Sequence, residues 1–262
     1  MDYTGILKAC LLVGGTGLLI GVLLGLAGKF LSVKIDEKIE KIREALPGNN
    51  CGGCGYPGCD GLAEAIAKGE VGADGCPVGG VASATAIGKI MGTSVEVVRK
   101  VAFIKCNGDC NSTKEKYKYS GNISCRDALA VPGGGPKSCE YGCLGLGTCA
   151  SVCDSDAIQI VDGIAVVDRE KCIGCGICSR VCPKQLIEMV PYDNDYNVAC
   201  NSKDKGKDVR AVCSAGCIGC KMCEKDCPTY AIAVEDNLAH IDYSICVSCG
   251  VCADKCPMKV IK

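Results

Sequence analysis

Cysteines supply most of the side chains in this chain that could do chemistry. The 262 residues include 26 Cys, and three runs share the spacing C-x2-C-x2-C-x3-C-P. In bacterial ferredoxins, three thiolates of such a run bind one four-iron cluster and the fourth binds the neighbouring cluster. Structural zinc does not explain three copies of a spacing that places three ligands around one corner. The runs therefore predict iron-sulfur clusters at Cys172, Cys175, Cys178 and Cys182, at Cys217, Cys220, Cys223 and Cys227, and at Cys246, Cys249, Cys252 and Cys256.

An internal repeat organises these runs. Aligning Cys143 with Cys217 also aligns Cys149 with Cys223, Cys153 with Cys227, and the run from Cys172 with the run from Cys246. This repeat predicts two tandem ferredoxin-like modules, 139–190 and 213–262. In each module a β-rich stretch, Ile158–Val167 or Ile232–Ile241, is interrupted by the turn residues Asp162-Gly163 or Asp236-Asn237. We expect a hairpin at each position and an α+β fold organised around clusters.

We call the arrangement in which the fourth Cys of each run binds the neighbouring cluster the crossed ferredoxin rule. It assigns three complete ligand sets. They are Cys172, Cys175 and Cys178 with Cys153; Cys217, Cys220 and Cys223 with Cys256; and Cys246, Cys249 and Cys252 with Cys227. The remaining set contains only Cys143, Cys149 and Cys182, because Leu146 stands where the other module has Cys220. Either Cys139 completes a four-iron cluster there, the interpretation we favour, or a three-iron cluster forms.

A different cysteine pattern, C-x2-C-x4-C-x16-C, occupies a Gly-rich segment within residues 48–100. Its members are Cys51, Cys54, Cys59 and Cys76. Four thiolates can complete one cluster, and flanking glycines let backbone N–H groups approach its sulfides; structural zinc is the alternative. Helices are expected over Leu62–Lys68 and Val81–Lys100.

The remaining cysteines lie mostly between these sets. Residues 101–138 form an insert with Cys106, Cys110 and Cys125. Together with Cys139, Cys200 or Cys213 they could bind a sixth cluster, or they could be free buried thiols. The linker 191–212 is rich in Asp and Lys, so we expect it to be solvated.

The N-terminus is apolar. Ala9–Gly28 carries no charged residue, which predicts a transmembrane helix within residues 1–28 and makes Cys10 a small apolar residue of that helix. Lys and Arg after it place the rest of the chain in the cytoplasm; a cleaved signal peptide is the alternative. Residues 29–47 are predicted to form an amphipathic stalk, with its helix over Ser32–Leu46.

Other function classes find little support in the composition. A net charge of −1 gives no basic surface for nucleic acid. A single His, His240, provides no hydrolytic triad. Gly14-Gly15-Thr16-Gly17 lies inside the apolar segment and does not follow a strand, so no NAD or flavin site is expected.

Together, the membrane helix, the stalk, the Cys51–Cys76 set and the ferredoxin modules resemble the B subunit of the Rnf complex, the ion-translocating ferredoxin:NAD oxidoreductase. The resemblance covers nearly the whole chain, although the insert is longer than in the short family pattern. It implies a subunit of the cytoplasmic membrane that accepts electrons from soluble ferredoxin and passes them to other subunits. Five four-iron clusters and a possible sixth are expected, with Lys221, Lys225, Lys255 and Lys259 as candidates for ferredoxin docking. A membrane-bound polyferredoxin of a hydrogenase or another reductase is the alternative, and a metal-storage or zinc-dependent interaction protein is a third.

Overall fold

A computed structural model describes residues 3–30, 36–94, 98–119, 121 and 123–262. The chain forms two units, the first ending at Lys41 and the second beginning at Ile42. All the cysteine patterns from Cys51 onward belong to the second unit, which therefore contains the candidate sites.

Helix α1, Tyr3–Phe30, forms most of the first unit. Its long apolar side chains are solvent-exposed, including Leu12, Leu18 and Leu24. No helix in the described part of the chain is long and apolar enough to cross a membrane, so the predicted transmembrane helix is not supported. The side chain of Cys10 lies outside the described residues.

Helix α2, Glu37–Ala45, corresponds to the predicted amphipathic helix over 32–46, of which residues 32–35 lie outside the described residues. Ile42 and Leu46 are buried in the second unit. Arg43 donates to Asp60 at 2.6 Å. The end of the predicted stalk is therefore packed onto the domain that follows it.

Two helices, α3 over Cys59–Lys68 and α4 over Gly80–Met91, surround a small core in the N-terminal part of the second unit. Their buried side chains include Leu62, Ile66 and Ile87. The prediction that the second helix extends to Lys100 is wrong. Gly92 ends it in the left-handed conformation, with φ of 72°, which glycine adopts without the steric penalty of a Cβ.

The two predicted hairpins are confirmed. Strand β2, Ile158–Val161, pairs with β3, Ile164–Val167, and β5, Ile232–Glu235, pairs with β6, Leu238–Ile241. Each turn has two residues of positive φ, as a tight hairpin with right-handed strand twist requires. These residues are Asp162 (47°), Gly163 (73°), Asp236 (47°) and Asn237 (64°).

A third strand pair packs against the first module. Strand β1, Lys100–Ile104, runs antiparallel to β4, Ile187–Pro191. Val101 and Val190 face each other in this pair and are fully buried. The first residues of the predicted insert thus share a sheet with the end of the module. The remaining helices are short: α5 Cys125–Ala130, α6 Ile177–Val181, α7 Gly206–Val212, α8 Met222–Lys225 and α9 Val251–Asp254.

The predicted linker 191–212 is not a solvated tether. Its charged side chains are mostly exposed, but Val198, Ala199 and Cys200 between them are buried. Asn197 and Lys262 exchange two backbone hydrogen bonds, of 2.6 and 3.0 Å. The difference arises because this apolar stretch pairs with the last residues of the chain: Val198 forms a β-bridge with Ile261, and the amide of Ala199 donates to the carbonyl of Val260 at 2.8 Å.

Candidate iron-sulfur cluster sites

Two neighbouring cavities of the second module are each lined by four cysteines. Group 4 contains Cys217, Cys220, Cys223 and Cys256. Group 5 contains Cys227, Cys246, Cys249 and Cys252. Burial, followed by the charges of the other three thiolates, raises the pKa of Cys223 to about 12. The structure thus brings together the thiols that the crossed ferredoxin rule pairs, while the ligand roles themselves stay a prediction.

The first module contains an equivalent set, group 2, with Cys153, Cys172, Cys175 and Cys178. Burial raises the pKa of Cys178 to about 11, and the negative charges of the other three thiolates add to this rise. The amide of Ala102 in β1 donates to the Sγ atom of Cys172 at 3.4 Å. The additional strand pair therefore supplies a backbone donor to this group.

Group 1 is the predicted set Cys51, Cys54, Cys59 and Cys76 of the N-terminal domain. The structure brings the last three together, whereas Cys51 is exposed and lies beside Cys175. Burial raises the pKa of Cys76, and the charges of Cys54 and Cys59 contribute. Asn50 fixes the loop before α3, since its Oδ1 atom accepts a hydrogen bond from the amide of Cys59 at 2.8 Å. The amide of Gly79 donates to the Cys76 Sγ atom at 3.3 Å.

The irregular set differs from the sequence prediction. Its cavity is lined by Cys125, Cys143, Cys149 and Cys182, here called group 3. Burial, then the charges of the other three thiolates, raises the pKa of Cys149 to about 12. The fourth thiol is thus Cys125, and the prediction that Cys139 stands here is corrected.

Local hydrogen bonds explain why Cys125 reaches group 3. Ser124 caps α5 through a reciprocal pair of bonds with Asp127, so the helix begins at Cys125. The amide of Cys125 then donates to Thr148 Oγ1 at 2.9 Å, beside Cys149. Leu146, which replaces the missing cysteine of the repeat, lines the same cavity. No spacing rule in the sequence indicates this pairing, because it joins segments on either side of the Gly-rich loop 132–136.

The other cysteines of the insert separate from one another. Cys106 lies beside Cys139 and Cys213, since a Cβ atom at Gly142 or Gly108 would contact its sulfur and one of theirs. Cys110 is exposed, and its amide donates to the carbonyl of Asp162 at 2.8 Å. Cys106, Cys110 and Cys125 therefore do not share one site.

Groups 1 and 2 approach each other closely. A Cβ atom at Gly53 would lie 3.1 Å from the carbonyl oxygen of Cys175, so a larger residue there would push the two loops apart. Arg180 donates to the carbonyl of Gly52 at 3.1 Å. The charge of Cys51 also contributes to the raised pKa of Cys175, although burial is the main cause.

The donor chemistry of these groups fits iron-sulfur clusters. Each group offers soft thiols, and the backbone amides of Gly79, Ala102, Leu186 and Val260 donate to their sulfurs, as around cluster ligands. Among the described residues, no cluster of three or more Cys, His, Asp or Glu side chains is arranged to bind a single metal ion. Burial and the neighbouring thiolates raise the pKa of Cys149, Cys178 and Cys223, so iron binding would release protons from these thiols.

Three family models match the chain. They are described as "Putative Fe-S cluster" over residues 46–78, "4Fe-4S binding domain" over 165–188 and "4Fe-4S dicluster domain" over 216–260. The matches cover the whole of groups 1, 4 and 5 and three of the four cysteines of group 2.

Three curated relatives are similar over most of their length. The B subunit of the Na(+)-translocating ferredoxin:NAD(+) oxidoreductase complex of Acetobacterium woodii is 46% identical over 95% of this chain and 75% of the relative. The B subunit of the ion-translocating oxidoreductase complex of Methanosarcina acetivorans is 40% identical over 98% of both chains. The B subunit of the proton-translocating ferredoxin:NAD(+) oxidoreductase complex of Clostridium ljungdahlii is 43% identical over 94% and 88%.

Proposed function

We propose that this chain, which belongs to the family of Rnf complex B subunits, accepts electrons from reduced ferredoxin and delivers them to its partner subunits. It is an electron-transfer subunit of an Rnf-type ion-translocating oxidoreductase complex. Rnf-type partner subunits follow from this membership. The ferredoxin partner and the path of the electrons are the parts proposed here.

The observation that carries the proposal is the convergence of thiols at five places, with four thiols in each of groups 2 to 5 and three of the four predicted ligands in group 1. Bound four-iron clusters would supply one-electron transfer, with potentials set by hydrogen bonds to sulfur, net charge and solvent exposure. We assign groups 1 to 5 as the ligands of five such clusters. Because group 3 has four thiols once Cys125 is included, it needs no three-iron cluster.

Groups 4 and 5 provide the entry side in this proposal. Cys220 and Cys249 are exposed, so both groups reach the surface of the second module. Lys225 follows Cys223 in the chain and Lys259 follows Cys256, and both lysines are exposed. Lys221 and Lys255 are already engaged, with Glu224 and Asp226 respectively. Within the described residues, Lys225 and Lys259 form no ion pair, which leaves their charges for an acidic ferredoxin.

Reversing these two charges tests ferredoxin docking. In the full chain, Lys225→Glu with Lys259→Glu is expected to slow reduction by ferredoxin roughly 10- to 100-fold at low salt. Electrostatic attraction between oppositely charged surfaces raises association rates by factors of this size, and the charge reversal removes it. Stopped-flow absorbance under anaerobic conditions measures the rate. The loss should shrink at high salt, where charges are screened.

The double variant Lys116→Glu with Lys118→Glu is the matched control, since it makes the same charge change at two exposed positions of the insert. We expect it to leave the rate close to that of the unmodified chain. An equal slowing by the control, or a slowing that does not depend on salt, would refute docking at Lys225 and Lys259. No reduction of the unmodified chain by ferredoxin would refute the proposed function itself.

We also propose that α1 attaches the chain to the cytoplasmic membrane, with the cysteine-rich unit on the cytoplasmic side, where thiols stay reduced. Its exposed leucines offer apolar surface for lipid or for a membrane subunit. Washing membranes with alkaline carbonate tests this. The full chain should stay in the membrane fraction, whereas Leu18→Lys with Leu19→Lys should release it. Release of the unmodified chain by salt alone would contradict attachment through α1.

A further inference from the structure

Four cysteines outside groups 1 to 5 converge where the insert and the linker meet. They are Cys106, Cys139, Cys200 and Cys213, here called the bridging group. Cys200 and Cys213 are buried, and Cys106 and Cys139 are partly buried. Neither the spacing rules nor the three family models assign a role to this group.

Three glycines show how closely the sulfurs approach. A Cβ atom at Gly108 would lie 3.3 Å from the Cys213 sulfur and 3.7 Å from the Cys106 sulfur. At Gly142 it would lie 3.4 Å from the Cys139 sulfur and 3.7 Å from that of Cys106. A Cβ atom at the third glycine, Gly216, would lie 3.9 Å from the sulfur of Cys200 and 3.9 Å from the Cβ atom of Cys213. The four thiols therefore surround one small volume.

The backbone explains why such distant segments meet. Thr113 of the insert forms a β-bridge with Cys213. On either side of it, the amide of Ser214 donates to Ser112 at 2.8 Å and the amide of Lys114 donates to Val212 at 3.0 Å. This pairing fixes the insert against the start of the second module. It follows that the bridging group is part of the folded core of the second unit.

The thiols of the bridging group accept hydrogen bonds as cluster ligands do. The Cys200 sulfur accepts from the amides of Cys217 at 3.2 Å and Ser202 at 3.5 Å. The Cys106 sulfur accepts from the amide of Cys143 at 3.3 Å. Thr113 Oγ1 lies 3.6 Å from the Cys213 sulfur as a donor. Such donors stabilise negative charge on thiolates and on a bound cluster.

We propose that Cys106, Cys139, Cys200 and Cys213 bind a sixth four-iron cluster that connects the two ferredoxin-like modules. Cys143 belongs to group 3 and Cys217 to group 4, so the amides that donate to Cys106 and Cys200 come from ligands of the adjacent groups. The bridging group thus stands between the modules. Its place in an electron path rests on the proposed function, whereas its iron content does not.

Iron content separates this site from group 3. In the full chain, about 24 iron atoms are expected, about 20 after Cys139→Ala, about 20 after Cys125→Ala and about 16 in the double variant, at four iron atoms per cluster. If Cys139 were instead a ligand of group 3, the double variant would lose no more iron than Cys125→Ala alone. Anaerobic iron and acid-labile sulfide analysis gives the count, and native mass spectrometry gives the number of clusters per chain.

Cys110→Ala is the matched control, because this exposed insert cysteine lies outside all six groups. It should keep the full iron content. The unmodified chain keeps the proposal testable even where a variant fails to fold: a native mass with six clusters supports the bridging site, and one with five overturns it. Unchanged iron in a folded Cys139→Ala variant would overturn it too. These readouts need no ferredoxin, so they are independent of the proposed function.

Discussion

Anaerobic removal of iron with a chelator is expected to unfold the second unit of the chain. Helices α6, α8 and α9 have only four or five residues, whereas isolated helices shorter than about 12 residues are marginal in water. The hairpins contain only two strands each, and an isolated two-stranded hairpin is also only marginally stable in water. Cluster binding would therefore contribute folding free energy directly, as metals do in other small domains.

The buried thiols strengthen this expectation. In both hydrophobic cores of the ferredoxin-like modules, cysteines are a large part of the buried apolar set, including Cys149, Cys178 and Cys223. Without iron these thiols are crowded, and burial raises their pKa values. The apoprotein would keep neutral thiols whose mutual contacts stabilise the native state less than bonds to iron.

Limited proteolysis and the hydrodynamic radius measure this effect better than helicity alone, because α1 has 28 residues and could stay helical. We expect rapid cleavage within residues 42–262 after chelation, and recovery of resistance when iron and sulfide are restored. A parallel sample without chelator controls for handling. An iron-free chain that stays compact and resistant would show that the protein alone maintains the fold.

The regular cluster sets could be predicted because their ligands are encoded locally. Three cysteines of each run lie on one loop and the start of a short helix, and the tandem repeat supplies the crossing partner. The hairpins were predictable for a similar reason, since Asp162-Gly163 and Asp236-Asn237 specify tight turns. The family resemblance drawn from these patterns is confirmed by the relatives.

Ligands contributed by distant segments could not be predicted in the same way. Cys125 reaches group 3 through the Ser124 cap and Thr148, and Cys213 is positioned by its β-bridge to Thr113. Both contacts depend on how loops pack after the modules form, which no spacing rule expresses. The preference for Cys139 in group 3 had no spacing rule behind it, and the structure places Cys139 beside Cys106 instead.

Replacing one ligand of group 2, Cys172→Ala, is expected to abolish ferredoxin-dependent NAD+ reduction by the assembled complex. Group 2 contacts group 1 through Gly53 and Cys175, and it belongs to the same module as group 3. Losing it would leave the N-terminal domain without its neighbouring electron donor. We expect turnover to fall more than about 100-fold, equivalent to a barrier higher by about 2.7 kcal/mol.

The control distinguishes a broken electron path from a damaged protein. Cys110→Ala removes a thiol outside the groups and should leave turnover unchanged, whereas Cys172→Ala should lose about four iron atoms, one cluster's content. Ferredoxin should still reduce groups 4 and 5 in the Cys172→Ala chain, because these groups lie in the other module. Undiminished NAD+ reduction with Cys172→Ala would mean that electrons bypass group 2, since the remaining groups would then connect ferredoxin to the partner subunits without it.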